Sequence, residues 1–322
     1  MKKTTRKIVY IVLALIVVIL LAGVALAYLP AESKTNHKGI SPAEAASLRK
    51  GYKAPHELLT TTDGETLFMR RWNPDSIVPA KKDLAVLIFH GITAHSGAYD
   101  MAGKTLAAGG YTTFGLDYRG HGLSGGNRAD APGKDRFIAD LVEAIRYIKG
   151  LGFAKVVVMG HSLGVVSAIV SANAASQEMA GLILLSAAYE RKKEGEVVQP
   201  SLLQKARIVA SSIFRPSHQA VEYYREGMTV AQDPLYNYAY TLRFVTMIPV
   251  KELKIEKDLH LPIMVGIGDK DELFTVEKAR EFYDTIPGNQ KAFVVLKDTY
   301  HAKIPVEAWQ ACVSWLDKMF VK

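Results

Sequence analysis

The stretch that decides the fold runs from Lys155 to Gly164 and reads Lys-Val-Val-Val-Met-Gly-His-Ser-Leu-Gly. Its apolar first half is typical of a buried strand, and the Ala- and Val-rich residues after Ser162 are typical of a helix. A Gly-x-Ser-x-Gly sequence between a strand and a helix forms a sharp turn that projects the serine hydroxyl from the carboxyl edge of a sheet. Ser162 is therefore the predicted nucleophile, and the flanking Gly160 and Gly164 leave space where side chains would collide with backbone.

On both sides of this stretch, short apolar runs alternate with longer amphipathic stretches. Two β-rich runs, Glu57–Thr62 and Thr66–Trp72, flank the turn signal Asp63-Gly64 and open the folded domain. The further predicted strands are Leu84–Phe89, Thr112–Leu116, Gly181–Ser186, Ile263–Ile267 and Ala292–Leu296, and the main predicted helices are Arg136–Lys149, Val276–Ile286 and Val306–Phe320. This alternation predicts an α/β fold with a mostly parallel sheet and helices on both faces.

The alternation is interrupted between Ala188 and Leu261, an interval far longer than a crossover between parallel strands requires. We assign residues 56–188 and 262–322 to the core and residues 189–261 to an inserted cap. The cap contains a predicted amphipathic helix, Leu202–Phe214, whose expected apolar face is Leu203, Ala206, Ile208, Val209 and Ile213, and it is rich in tyrosine. We expect this helical cap to cover the active site; the alternative is a peripheral decoration that does not touch the substrate.

The N-terminus combines a basic stretch, residues 1–7, with the uncharged segment Ile8–Leu29. As a helix this segment would be roughly 33 Å long, enough to cross a membrane. The preceding positive charges predict a cytoplasmic N-terminus and an extracytoplasmic catalytic domain. The alternative is a signal peptide cut after Ala25-Leu26-Ala27, which would leave a secreted or periplasmic protein. Residues 30–55 are expected to form a tether with a short helix near Pro42–Arg49.

A serine nucleophile needs a base within hydrogen-bond reach and an acid that orients the base. Among the nine histidines, only His301 follows the last predicted strand, where this chain order places the base. The acid should follow the preceding strand, where Asp271 is the first choice and Asp269 the second. The oxyanion hole is expected from the backbone N–H groups of Leu163 and Ile92.

Composition excludes several other functions. The formal net charge is +8, but the four basic residues of the N-terminus supply half of it, and no basic stripe with interleaved aromatics predicts nucleic-acid binding. Cys312 is the only cysteine, so neither a disulfide within the chain nor a Cys-rich metal site is possible. No His-Glu-x-x-His sequence occurs, and we expect no metal and no cofactor. The oligomeric state is left open.

Five segments together resemble the monoglyceride lipase and lysophospholipase group of α/β-hydrolases, whose domain is shared with the serine aminopeptidase family. These segments are His90–Ser96, Asp117–Arg128, Gly160–Gly164, Gly268–Asp271 and Tyr300-His301. The resemblance covers roughly residue 57 to the C-terminus. It implies the α/β-hydrolase fold and an esterase that acts on single-chain acyl esters, and it places Asp271 at the acid position. The chain departs from the group at Ala94, where many members have Glu, and at Asp298, where Gly is usual.

The leading hypothesis is therefore a serine esterase that cleaves monoacylglycerols or lysophospholipids through an acyl-enzyme intermediate. Within enzymes, the alternatives are a small-ester carboxylesterase and an aminopeptidase-like amidase, for which Glu222, Glu226 or Asp233 could hold a substrate ammonium group. From another class, the chain could be a catalytically silent membrane-bound binding protein, although an intact Ser, Asp and His argue against it.

Overall fold

The computed structural model describes residues 3–76, 81–193, 196–247 and 254–321. Before the cap, the chain forms α1 (Lys3–Tyr28), α2 (Pro42–Gly51), β1 (His56–Thr60), β2 (Thr66–Trp72), β3 (Leu84–Phe89), α3 (Asp100–Ala108), β4 (Thr112–Leu116), α4 (Lys134–Gly150), β5 (Lys155–His161), α5 (Leu163–Ala175) and β6 (Gly181–Leu185). The cap contains α6 (Leu202–Phe214), β7 (Val221–Glu222), β8 (Ala239–Tyr240) and α7 (Leu242–Thr246), and the chain ends with β9 (Ile263–Gly268), α8 (Val276–Thr285), β10 (Lys291–Leu296) and α9 (Val306–Phe320).

The central sheet has eight strands in the order β1-β2-β4-β3-β5-β6-β9-β10. The pairs β1·β2 and β2·β4 are antiparallel, and the other five pairs are parallel. The mostly parallel sheet predicted from the alternation is confirmed. Its register aligns the carboxyl ends of neighbouring strands: Phe89 of β3 pairs with Gly160 of β5, and Leu185 of β6 pairs with Gly266 of β9. The loops that follow these strands therefore meet at one edge.

Helices cover both faces of the sheet, as predicted. One apolar layer packs the sheet against α4, α5 and α8, and the other packs it against α3 and α9. The strands β3, β6 and β9 are buried at every position, which explains why their sequences are continuous apolar runs rather than alternating ones. The C-terminal helix α9 buries Trp309, Cys312 and Leu316 against the second face.

Helix α6 has the predicted bounds, but its apolar residues are not arranged as expected. Of the predicted apolar face, only Ile208 is buried, whereas Leu203, Ala206, Val209 and Ile213 are exposed. The physical reason is that α6 packs against α1: a Cβ on Gly23 of α1 would lie 2.7 Å from the Phe214 ring. The helix buries the face toward α1 and leaves an apolar stripe outside.

Helix α1 contains the apolar span Thr5–Tyr28, with a mean hydropathy of 3.2 over its most apolar window and none of that window buried. Such a helix could be a membrane span or a signal sequence. The residues after it, expected to form a free tether, are held along the cap. The Glu222 carboxylate accepts hydrogen bonds from the hydroxyls of Ser33 and Thr35 and from the backbone N–H groups of Lys34 and Thr35, at 2.6–2.9 Å.

Candidate active site

Ser162 lies in the turn between β5 and α5 with φ 56° and ψ −118°. Residues other than glycine rarely adopt this strained backbone conformation. The turn is closed by tight backbone contacts on both sides. A Cβ at Gly160 would lie 2.2 Å from the Gly164 carbonyl oxygen, and a Cβ at Gly164 would lie 2.0 Å from the Phe89 carbonyl oxygen. Glycine is required at both positions for this geometry, which places the Ser162 hydroxyl at the carboxyl edge of the sheet.

The structure brings Ser162, His301 and Asp271 together across the sheet edge. The His301 Nε2 lies 3.0 Å from the Ser162 Oγ, and the His301 Nδ1 lies 3.0 Å from the Asp271 Oδ2. Both His301 and Asp271 are buried. Because the carboxylate can only accept, the proton of a neutral His301 ring lies on Nδ1, and the Nε2 can accept the proton of the serine hydroxyl.

The carboxylate of Asp271 is held by the loop that follows β9. Its Oδ1 accepts hydrogen bonds from the backbone N–H groups of Leu273, at 2.8 Å, and Phe274, at 3.0 Å. Burial alone would raise the pKa of Asp271, but the hydrogen bond and charge of His301, with further hydrogen bonds from the Leu273 N–H and the Ser186 side chain, outweigh it and lower the pKa to about 2. Asp269, the second choice for the acid, is exposed and accepts from the Thr299 N–H at 3.2 Å. Of the two, Asp271 is the one bonded to His301.

The loop after β3 lies directly beside the nucleophile. A Cβ on Gly91 would lie 3.5 Å from the Ser162 Cβ. The loop is fixed from the cap, because the Tyr240 hydroxyl donates to the Ile92 carbonyl oxygen at 2.7 Å. Among the described residues, the loop and cap hydrogen bonds leave the N–H groups of Ile92 and Leu163 without an acceptor. Two unpaired donors beside a serine hydroxyl can stabilise a developing oxyanion.

A second buried pair, Tyr99 and His161, was not predicted from the sequence. The Tyr99 hydroxyl accepts from the Gly91 N–H at 2.9 Å and is hydrogen-bonded to the His161 Nδ1 at 2.7 Å. Burial, followed by the charge of the neighbouring His301, lowers the pKa of His161 to about 3. His161 is therefore neutral beside His301, with ring centroids 5.0 Å apart. The only sequence signal was its position inside the Gly-x-Ser-x-Gly turn.

A cavity of about 330 Å³ opens at Ser162, within the usual size range of small-molecule sites. Its walls are mostly apolar, and they come from the cap, from α4, α5 and α8, and from the loops after β3, β6 and β9: Ile92, Phe137, Leu163, Val165, Val166, Ala187, Ala188, Tyr189, Val197, Val221, Tyr223, Tyr240, Phe244, Val245, Met247, Phe274 and Phe282. No residue of α6 lines it. Other residues of the cap, before and after this helix, border the cavity at Ser162, whereas Leu202–Phe214 packs on α1.

The polar residues of this cavity carry little free negative charge. Glu222 lines the cavity, but its carboxylate is bonded to the Ser33–Thr35 segment. The Asp233 carboxylate lies outside the cavity walls, 3.0 Å from the His95 Nε2. Arg191 is exposed at the wall, with its guanidinium 5.9 Å from the centroid of the Tyr223 ring. Within the described ranges, no group of three or more His, Cys, Asp or Glu side chains could hold a metal ion.

The sheet order, the strained serine turn and the loops that meet beside it define an α/β-hydrolase. Residues 80–307 match the family model described as serine aminopeptidase, S33. The match spans well over half of the chain, and the chain belongs to this family.

Individual relatives agree with this assignment. The chain is 25% identical over 263 residues to the monoglyceride lipase of Rattus norvegicus, covering 77% of this chain and 82% of that one. It is 26% identical over 275 residues to the uncharacterized protein YnbC of Escherichia coli, but spans only 46% of that longer protein. A solved structure of a soluble variant of monoglyceride lipase from Saccharomyces cerevisiae superposes with a TM-score of 0.64 over 91% of this chain and all of that one, at 15% identity, which shows the shared fold.

Proposed function

We propose that this protein hydrolyses carboxylic esters of monoacyl lipids, such as monoacylglycerols or lysophospholipids. The observation that carries the proposal is the mostly apolar cavity of about 330 Å³ that opens at the Ser162 hydroxyl, to which the His301 Nε2 is bonded. A single acyl chain fits such walls, and the relatives named monoglyceride lipase support this substrate class.

The proposed mechanism follows from the hydrogen bonds. The Ser162 Oγ attacks the ester carbonyl while the His301 Nε2 takes its proton, and the ionised Asp271 stabilises the imidazolium that results. The N–H groups of Ile92 and Leu163 hold the carbonyl oxygen as it becomes negative. The His301 proton then passes to the departing alcohol, which leaves an acyl group on Ser162. Water activated by His301 attacks this acyl-enzyme, releases the fatty acid and restores the serine.

The carboxylates of the cap favour an ester over an aminopeptidase substrate. An aminopeptidase needs a negative group that can bind the free ammonium of its substrate. Glu222 is saturated by the hydrogen bonds of the Ser33–Thr35 segment, Asp233 is paired with His95, and Glu226 is exposed outside the cavity walls. The apolar walls provide no replacement, so we propose ester cleavage as the main activity.

We predict that kcat/KM rises with acyl chain length for p-nitrophenyl esters from about two to eight carbons. Each fully buried methylene contributes about 0.8 kcal/mol, so about two or three methylenes that become fully buried in the apolar cavity should give a gain of about ten- to a hundredfold. The measurement is kcat/KM over a series from about two to sixteen carbons, each ester below its critical micelle concentration.

Two matched variants locate this effect. Val166→Phe places a large side chain inside the cavity and should flatten the dependence on chain length. Val209→Phe makes the same change on the exposed side of α6 and should leave it unaltered. A monotonic fall with chain length in the wild type would argue for a small closed pocket, and the lipid proposal would then give way to a small-ester or amidase function.

We further propose that α1 is retained as a membrane anchor, with its N-terminus cytoplasmic and the catalytic domain on the other side. The support is its contact with the cap. Ala27, at the candidate cleavage site, is fully buried, and its carbonyl oxygen accepts from the Arg215 guanidinium at 3.1 Å. The Leu29 carbonyl oxygen accepts from the Arg207 Nε at 2.7 Å. Cleavage after Ala27 would remove the helix that covers this face of α6.

We expect the full-length protein to stay in the membrane fraction after a carbonate or high-salt wash, because an apolar span is held by burial rather than by charge. Intact-mass analysis of the membrane fraction should give the uncleaved chain. A mature protein that begins at Tyr28 would contradict the anchor and identify a signal peptide.

A further inference from the structure

A second cavity, of about 580 Å³, lies between the end of α1 and the cap. We call it the anchor–cap groove. One wall is the segment Tyr28–Lys34 directly after the apolar span, and the other is formed by Val197–Pro200, parts of α6 and residues 218–222. If α1 crosses a bilayer, the residues that follow it lie at the level of the lipid headgroups. The groove is then a cavity at the membrane surface whose walls carry both apolar and charged side chains.

Two arginines of this groove are fixed in place by the end of α1. The Arg207 Nε donates to the Leu29 carbonyl oxygen, and the Arg215 guanidinium donates to the Ala27 carbonyl oxygen and lies 4.5 Å from the centroid of the Tyr28 ring. Each of these contacts uses one side of a guanidinium group, which has five N–H donors. The remaining donors of both arginines are available to an acceptor in the groove.

Arg207 and Arg215 both line the groove and contribute positive charge to it. His218 also lines it, and burial together with the charges of Arg215 and Arg207 lowers the pKa of His218. Lys34 contributes another cation, while Glu32 and Glu222 are the carboxylates of the walls. Glu222 keeps its negative charge, but its carboxylate oxygens accept hydrogen bonds from residues 33–35.

We propose that the anchor–cap groove binds a phosphate group through Arg207 and Arg215, with the headgroup of an anionic membrane lipid as the expected source. Guanidinium groups bind phosphate through paired N–H bonds, and two pre-positioned arginines fit this chemistry. The proposal rests on the retained anchor, and it assigns a lipid site distinct from the cavity at Ser162.

The anchor–cap groove lies directly beside the cavity at Ser162. Val197, Val221 and Glu222 line both the groove and the cavity at Ser162. A lipid held in the groove would therefore lie one wall away from the active site. Its binding fixes the cap against the bilayer, with the catalytic cavity close to the lipid supply.

The test measures binding rather than hydrolysis. The full-length protein in a non-ionic detergent is titrated with short-chain diether phosphatidylglycerol, with the matching diether phosphatidylcholine and with inorganic phosphate, by isothermal titration calorimetry. Ether lipids have no ester bond, so the result does not depend on the proposed esterase activity. We expect phosphatidylglycerol to bind at least about tenfold more tightly than phosphatidylcholine, and Arg207→Gln to weaken it about tenfold, because hydrogen bonds to charged groups are strong.

Lys205→Gln is the matched control, because Lys205 is exposed on α6 and does not line the groove. It should bind phosphatidylglycerol as the wild type does. The thermal unfolding midpoint shows whether each variant is folded. If Arg207→Gln lowers the midpoint strongly, Arg207→Lys, which keeps the charge but loses the paired donors, replaces it. Inorganic phosphate binding as tightly as phosphatidylglycerol would support the site with free phosphate as its source. Equal affinity for the two lipids, or wild-type affinity in the Arg207 variant, would overturn the proposal.

Discussion

Ser162→Ala and His301→Ala should each lower kcat/KM for a short acyl ester by at least about 10⁴-fold. Without the Ser162 Oγ there is no nucleophile for the acyl-enzyme, and without His301 the hydroxyl has no base, since the His301 Nε2 is the group 3.0 Å away. His161 should not replace it, because its Nδ1 is already hydrogen-bonded to the Tyr99 hydroxyl and burial lowers the pKa of His161 to about 3. The measurement is kcat/KM for p-nitrophenyl butyrate.

The double variant separates catalysis from other effects of the two substitutions. Because nucleophile and base act as one unit, Ser162→Ala with His301→Ala should be hardly worse than either single variant. Circular dichroism and the thermal unfolding midpoint show whether the fold is kept. Additive losses in the double variant, or a single variant that retains most of its activity, would show that another group carries the reaction.

The core could be predicted from the sequence because its signals are local. The strand Leu84–Phe89 has the predicted bounds, because a strand buried on both faces has a continuous apolar sequence. The strand Thr112–Leu116 has the predicted bounds as well. The turn around Ser162 could be predicted from its two glycines for a similar reason. Each meets a backbone oxygen so closely that no other residue fits, and a constraint of this kind leaves a short and specific pattern.

The cap could not be predicted in the same way, because its contacts join distant parts of the chain. The exposed side of α6 contains Leu203, Val209 and Ile213. Their helical periodicity alone predicts that they form the buried face. Only the position of α1, nearly two hundred residues earlier, decides which side is covered. Likewise, Glu222 looks like a free acidic residue of the cap until the Ser33–Thr35 segment is placed against it.

The sequence left two candidates for the acid of the triad, and only the geometry of the structure distinguishes between them. Asp269 and Asp271 lie in one loop, and both follow β9. Asp271 is buried with one oxygen on His301 and the other on two backbone N–H groups, whereas Asp269 is exposed. This asymmetry predicts that the same chemical change lowers kcat strongly at Asp271 and hardly at all at Asp269.

Asp271→Asn should lower kcat by about 10⁴-fold, because the amide would reverse the hydrogen bond to His301. The backbone N–H groups of Leu273 and Phe274 require an acceptor, so the amide oxygen would take the place of Oδ1 and the NH₂ would face the His301 Nδ1. That nitrogen would then become an acceptor, the ring proton would move to Nε2, and the ring could no longer accept the Ser162 proton.

Asp269→Asn is the matched control, since it removes the same charge from the same loop and its amide oxygen can still accept from the Thr299 N–H. We expect its kcat to stay within a few fold of the wild type, because the exposed charge is screened by solvent. The pair is compared by kcat at fixed pH, with the thermal midpoint as the fold control. A larger loss in Asp269→Asn would move the acid to that residue. Comparable losses in both would mean that the loop's charge, rather than the orientation of the His301 ring, sets the rate.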